Sequence, residues 1–253
     1  TSGGVWTTSN AAVATVNTIT GNVTGVTAGT ATITYTYTNS NGCTSAVSTT
    51  VTINALPVVA AITGTTSVCE GATTTLASTT TGGVWSTANT ATATINSTTG
   101  VVTGVAAGTT TMTYTVTNAN GCTSSVSTAL VVNAIPQVAA ISGTTEVCVG
   151  LTTALANATA SGVWTSSNTA VATIDASGVV TGVAAGSTTI TYTVTTNGCT
   201  ANAQAVVNVN ALPTLAAIGG TMNACIGSST ILTNTTSGGV WTTSNAAVAT
   251  VNT

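Results

Sequence analysis

The sequence predicts an all-β protein of tandem β-sandwich modules, about 78 residues each with seven strands per module. Three observations lead there. Apolar and hydroxyl residues alternate with a period of two over long stretches. Gly and Asn-Gly turn signals interrupt that alternation roughly every 8–12 residues. Whole blocks of text recur, and Trp6, Trp85, Trp164 and Trp241 are spaced by 79, 79 and 77 residues. No segment combines helical periodicity with caps.

The elements follow in order within one repeat. Strands are expected near 58–63, 72–77, 83–87, 91–95, 101–105, 109–117 and 122–132. The clearest is the TxTYTxT run. In 31–38, Ala31, Ile33, Tyr35 and Tyr37 share one face, and Thr32, Thr34, Thr36 and Thr38 share the other, as in a half-buried strand. Asn41-Gly42, Asn120-Gly121 and Asn197-Gly198 each lie between two alternating runs, which marks a hairpin. Seven short strands with this punctuation read as an immunoglobulin-like sandwich. The lone Trp of each repeat (Trp6, Trp85, Trp164, Trp241) is expected as its core aromatic, with Tyr35, Tyr114 and Tyr192 beside it.

Proline closes each joint, in Ala55-Leu56-Pro57, Ala134-Ile135-Pro136 and Ala211-Leu212-Pro213. The expected organisation is the C-terminal part of a module over 1–56, complete modules over 57–135 and 136–212, and the N-terminal part of a module over 213–253. Residues 1–18 and 236–253 are identical and lie 235 positions apart, the length of three repeats. Two readings fit this identity. The chain is a stretch of a longer tandem array, or it is a subunit whose incomplete ends complement those of its neighbours.

The runs GGVWTTSNAAVATVN at 3–17 and GVVTGVAAGSTTITYTVT at 178–195, with their repeats, resemble bacterial immunoglobulin-like domains of group 2. The likeness is strongest to Thr/Ala-rich tandem copies in large secreted surface proteins of Bacteroidota. That resemblance implies the sandwich fold and a role as spacer, stalk or adhesin shaft. The near-absence of charge departs from the family's usual composition.

Composition narrows the function. The chain has no Lys, Arg, His or Phe, and its three acids are Glu70, Glu146 and Asp175. It therefore has no ordinary general base near neutral pH and no cationic clamp for an oxyanion or phosphate. Nucleic acid is not an expected partner, since neutralising a phosphate backbone takes Lys and Arg. Apolar runs are far shorter than a membrane-spanning helix needs. Aligning the repeats sets Glu70 against Val149 and Ile226, Glu146 against Ser67 and Asn223, and Asp175 against Asn96 and Asn17. No acidic position recurs, so neither a repeated cation cage nor paired carboxylates are encoded. Asp175 is expected to cap a turn. The expectation is a non-enzyme without cofactor or metal.

The six cysteines, Cys43, Cys69, Cys122, Cys148, Cys199 and Cys225, are disulfide candidates in an oxidising compartment. Two pairings compete. Within a repeat, Cys69 would join Cys122 and Cys148 would join Cys199. Across a joint, Cys69 would join Cys199, and the other four would bond to repeats outside this stretch. In a sandwich the two cysteines of one repeat lie about a strand length apart, whereas a disulfide needs Cα atoms within about 7 Å.

The Thr ladders are flat, polar and uncharged, and no Lys guards the strand edges. Near-zero charge favours association. The expected function is structural: an extracellular, cell-surface filament, stalk or sheath of disulfide-stabilised repeats whose partner is itself, in neighbouring repeats or chains. The alternative is an adhesin that binds surface glycans or other surfaces, with ice binding through the Thr arrays as a variant.

Overall fold

The computed structural model describes residues 3–252, and every regular element among them is a β-strand. The chain forms two compact units, Thr1–Gln137 with Thr195–Ala201, and Val138–Val194 with Asn202–Thr253.

The first unit opens with β1 (Val5–Thr8), β2 (Ala14–Val16), β3 (Val23–Gly25), β4 (Gly29–Thr38) and β5 (Thr44–Ile53). These make a three-stranded sheet, β1-β4-β5, and a β2-β3 pair. A full sandwich follows: β6 (Thr63–Gly64), β7 (Ser67–Cys69), β8 (Thr73–Ala77), β9 (Val84–Thr87), β10 (Ala93–Ile95), β11 (Val101–Gly104), β12 (Gly108–Thr117) and β13 (Thr123–Asn133). Its sheets run β10-β11-β8-β6 and β7-β13-β12-β9.

The same plan recurs with β14 (Ser142–Gly143), β15 (Glu146–Cys148), β16 (Thr152–Ala156), β17 (Val163–Ser166), β18 (Ala172–Ile174), β19 (Val179–Gly182), β20 (Gly186–Thr196) and β21 (Cys199–Asn210), all in the second unit except Thr195–Ala201, the hairpin end of β20 and β21, which belongs to the first. The sheets are β14-β16-β19-β18 and β15-β21-β20-β17. Beyond them, β22 (Gly219–Gly220) and β23 (Leu232–Thr233) form a lone pair.

The fold is thus all-β, in tandem immunoglobulin-like sandwiches. One detail differs from the sequence reading. The first strand, expected over 58–63, is a broken edge: β6 lies in one sheet and β7 crosses to the other, where it pairs parallel with β13. Counted as one strand, the broken edge keeps the total at seven. Residues 58–62 lie outside any ladder, and side chains take up the backbone groups of Ala60. Thr80 Oγ1 accepts from the Ala60 N–H at 2.9 Å, and the Ser78 hydroxyl donates to the Ala60 carbonyl at 3.1 Å.

Each core follows from the alternation. Leu76, Val102, Met112 and Leu130 are sealed in the first unit, and Leu155, Val180, Ile190 and Val207 occupy the corresponding places in the second. Trp85 is buried and its ring packs on Tyr114 at 4.6 Å between centroids. Trp164 packs on Tyr192 at 4.6 Å and Trp6 on Tyr35 at 4.7 Å, both Trp side chains half-buried. Trp241 is half-buried and lies outside any strand.

The tyrosine hydroxyl is a second tie that alternation does not reveal. Tyr114 Oη accepts from the Gly83 N–H at 2.8 Å and donates to the Thr80 carbonyl at 2.8 Å. Tyr192 repeats both bonds with Gly162 and Thr159. Replacing Tyr114 with Phe strands both backbone groups, so we expect a loss of about 2 kcal/mol in urea unfolding.

At the turn before each Trp strand, Gly82 has φ 79° and Ser161, its counterpart, has φ 64°. A serine held there is strained. Ser161→Gly is expected to raise stability by about 0.5–1 kcal/mol, read as a higher melting temperature.

Candidate functional site: the stapled joint

One residue of the two-residue difference in repeat length is lost at a hairpin, and the other at the turn that spans Asn96–Gly100 in one repeat and Asp175–Gly178 in the next. In the first two repeats β4–β5 and β12–β13 are joined by five residues, and Asn39 or Asn118 caps the turn by accepting backbone N–H groups on its side-chain oxygen. The third repeat is one residue shorter here, with seven positions from Tyr192 to Cys199 against eight from Tyr114 to Cys122. Asn197-Gly198 alone joins β20 to β21, with φ 51° and 81°, the left-handed pair that a tight hairpin requires. Cys199 then starts β21 and is 1% exposed.

Cys199 is bonded to Cys69, 130 residues away, with Cα atoms 5.7 Å apart. Cys69 ends β7, where it lies opposite Asn133. Asn133 is the hub of the joint. Its amide donates to Ser67 Oγ at 2.8 Å and to the Asn197 carbonyl at 3.2 Å, and its own carbonyl lies 3.8 Å from Cys199 Sγ. The bond therefore ties β7 to the Asn197-Gly198 hairpin, both within the first unit. Pairing within a repeat is precluded by strand geometry. Cys69 sits beside the end of β13 and Cys122 just before its start, 11 residues away, or about 35 Å along an extended strand.

Cys122 and Cys148 are half-buried thiols, and Cys43 and Cys225 are exposed ones. Sequence reasoning missed Asn133, although the signal was present: Asn54, Asn133 and Asn210 each precede a joint.

The three carboxylates are dispersed. Glu70 accepts from the Ala107 N–H at 2.7 Å. The Asn208 and Asn210 amides bond Glu146 and hold its carboxyl below the usual range. Asp175 caps its turn, accepting from the Ser177 hydroxyl and the Val179 and Ser177 N–H groups, and its pKa is likewise lowered. Among the described residues no three of His, Cys, Asp and Glu gather closely enough to hold a metal. A carboxylate with a lowered folded-state pKa contributes stability above its unfolded pKa and loses it as pH falls through the folded value. The melting temperature is therefore expected to fall below about pH 4, and Asp175→Asn should narrow the gap between neutral and acid melts.

On the outer face of the β12–β13 ribbon, Thr111, Thr113, Thr115 and Thr117 lie opposite Ala129, Ser127, Ser125 and Thr123. The face is hydroxyl-rich and uncharged.

The family model for the bacterial Ig-like domain (group 2) matches residues 1–48 and 130–207, so the chain carries domain sequence of this kind. No curated protein matches it. Among solved structures it is similar to the surface layer protein SbsC, domains 1–6, at 19% identity and TM-score 0.27, over 87% of this chain and 37% of that one. Drosophila N-cadherin EC1–4 aligns at 10% identity and TM-score 0.26, over 82% and 66%. Murine CEACAM1b aligns at 10% identity and TM-score 0.32, over 60% and 100%.

Proposed function

We propose that this chain is a structural stretch of an extracellular, cell-surface filament, stalk or sheath, in which immunoglobulin-like modules over 57–135 and 136–212 are disulfide-linked spacers. The observation that carries the reading is the Cys69–Cys199 bond across a joint. A disulfide within a module only stabilises that module, whereas one across a joint restricts hinge motion and carries tension between modules. Repeat arrays gain length by adding units that touch only their neighbours. The uncharged Thr faces suit lateral packing of such arrays, because nothing on them repels a second copy. The disulfide supports an oxidising location, and the match to bacterial Ig-like domains supports a surface role.

Electron microscopy of native surface material tests this. The expected result is uniform fibres or sheaths with an axial period of three modules, matching the 235-residue sequence period. A dispersed monomer that binds defined sugars on a glycan array would replace this reading with the adhesin one.

A further inference from the structure

The strand that carries the tryptophan is an edge strand in both sandwiches, β9 beside β12 and β17 beside β20. The turn after the next strand decides whether that edge is covered. The Ala88 and Ser167 N–H groups point into the sheet and donate to the Thr111 and Thr189 carbonyls at 2.9 Å. Backbone groups alternate sides along an antiparallel strand, so those of Trp85 and Trp164 point outward.

At Trp85 the outward N–H is taken. It donates to the Ser97 carbonyl at 2.9 Å, and the Trp6 N–H does the same with Thr18 at 3.0 Å. Ser97 belongs to the turn Asn96–Gly100, in which the Gly100 N–H reaches back to the Asn96 carbonyl at 3.0 Å. The counterpart turn, Asp175–Gly178, is one residue shorter and closes more tightly. Its Gly178 N–H donates to the Asp175 carbonyl at 3.1 Å, and the Asp175 carboxylate accepts from the Ser177 and Val179 N–H groups at 2.9 Å. Among the described residues no loop carbonyl accepts from the Trp164 N–H. Trp164 is half-buried where Trp85 is sealed, and Val163 beside it is 64% exposed. The opening is therefore set inside one sandwich, by the length of one turn.

An open strand edge takes up another strand. Such edges are ordinarily guarded by Lys, Pro or a bulge, and Val163–Ser166 has none of these. The occupant that fits is an identical edge. Turned antiparallel about Trp164, two copies of β17 set Trp164 opposite itself, so each N–H donates to the other's carbonyl, and Val163 lies opposite the second copy's Thr165. The stretch 151–174 carries no charge. A charged strand docked there would lose water without gaining a counter-charge, whereas a second uncharged edge meets no such penalty.

We propose that the β17 edge is a contact between copies of this chain, paired antiparallel through Trp164 so that two four-stranded sheets become one. The contact is isologous, so it ties two arrays side by side and lengthens neither. It rests on the structural reading above and deepens it by naming the lateral contact.

The test uses the 253-residue chain with Cys69–Cys199 formed and iodoacetamide added to block free thiols, so that association is not covalent. Sedimentation velocity should show a dimer that grows with concentration. Amide hydrogen exchange reads the edge itself. In dilute solution the Trp164 N–H should exchange at least tenfold faster than the Trp85 N–H, and concentrating the sample should slow Trp164 about tenfold while Trp85 stays unchanged. Val163→Lys places a charge beside the edge and should leave the chain monomeric, with Trp164 fast at every concentration. Exchanging residues 175–178 for the sequence of 96–100 restores the covering carbonyl and should slow Trp164 without association. Trp164 exchange as slow as that of Trp85 in dilute solution, a chain that stays monomeric, or a dimer that both variants leave intact overturns the proposal. Native fibres built by a chain that fails this test overturn the edge contact and leave the filament reading standing; a dimer through β17 upholds the contact even where native material shows no fibres.

Discussion

Changing Cys69 and Cys199 together to alanine is expected to lower unfolding stability by about 5 kcal/mol. The bond closes a loop of 130 residues, and on chain-entropy grounds a crosslink of that span restricts the unfolded ensemble by roughly this amount. The native state loses more than the tie. Asn133 and Asn197 meet only because β7 and the Asn197-Gly198 hairpin are held together, so the 3.2 Å bond between them weakens too. Both cysteines are changed because a single substitution would leave a thiol free to attack another. Urea unfolding followed by tryptophan fluorescence provides the measurement, and the reduced wild-type chain should show the same loss. An unchanged midpoint on reduction would mean that the joint does not depend on the bond.

How much of this was legible before the fold was seen depends on whether the signal is local. The strand faces were, because alternation is written into each strand: Ala31 and Ile33 point inward and are buried, as their spacing requires. The hairpins were legible as hairpins but not as two kinds. The five-residue turns depend on Asn39 and Asn118 as caps, whereas the tight turn depends on the absence of one residue, a difference visible only on aligning the repeats. The broken first strand was hidden because hydroxyls of Ser78 and Thr80, distant in sequence, decide where the backbone of Ala60 finds its partners. The disulfide stayed open between two pairings because the sequence sets the two cysteines of one repeat a strand length apart only through an expected strand order. The parallel pairing of β7 with β13 settles that, and parallel pairing leaves no local sequence mark. Asn133 was overlooked for a related reason: its role exists only once two repeats meet.

The second large effect is expected at Gly100, where Gly100→Ala should cost about 3 kcal/mol or more and disturb the environment of Trp85. Gly100 is buried with φ 72°, a region that alanine enters only with strain. A methyl group there would also collide with the Leu76 carbonyl and crowd the Trp85 indole, whose nearest atom is 3.0 Å from the added carbon. Neither neighbour can give way easily. The Leu76 N–H donates to the Gly100 carbonyl at 2.9 Å, which fixes the approach of the two backbones, and Trp85 is held against Tyr114. Overpacking a site of this kind costs about 1–3 kcal/mol beyond the backbone strain. Gly121→Ala separates the two contributions, because Gly121 has nearly the same φ, 79°, with nothing within 4 Å of the added methyl. It should lose only the backbone part, about 1–2 kcal/mol, with tryptophan emission unmoved, whereas Gly100→Ala should shift that emission to longer wavelength as the indole is pushed toward water. Equal losses at the two sites would show that the backbone conformation alone sets the cost, and that the glycine beneath each tryptophan is not there to make room for the ring.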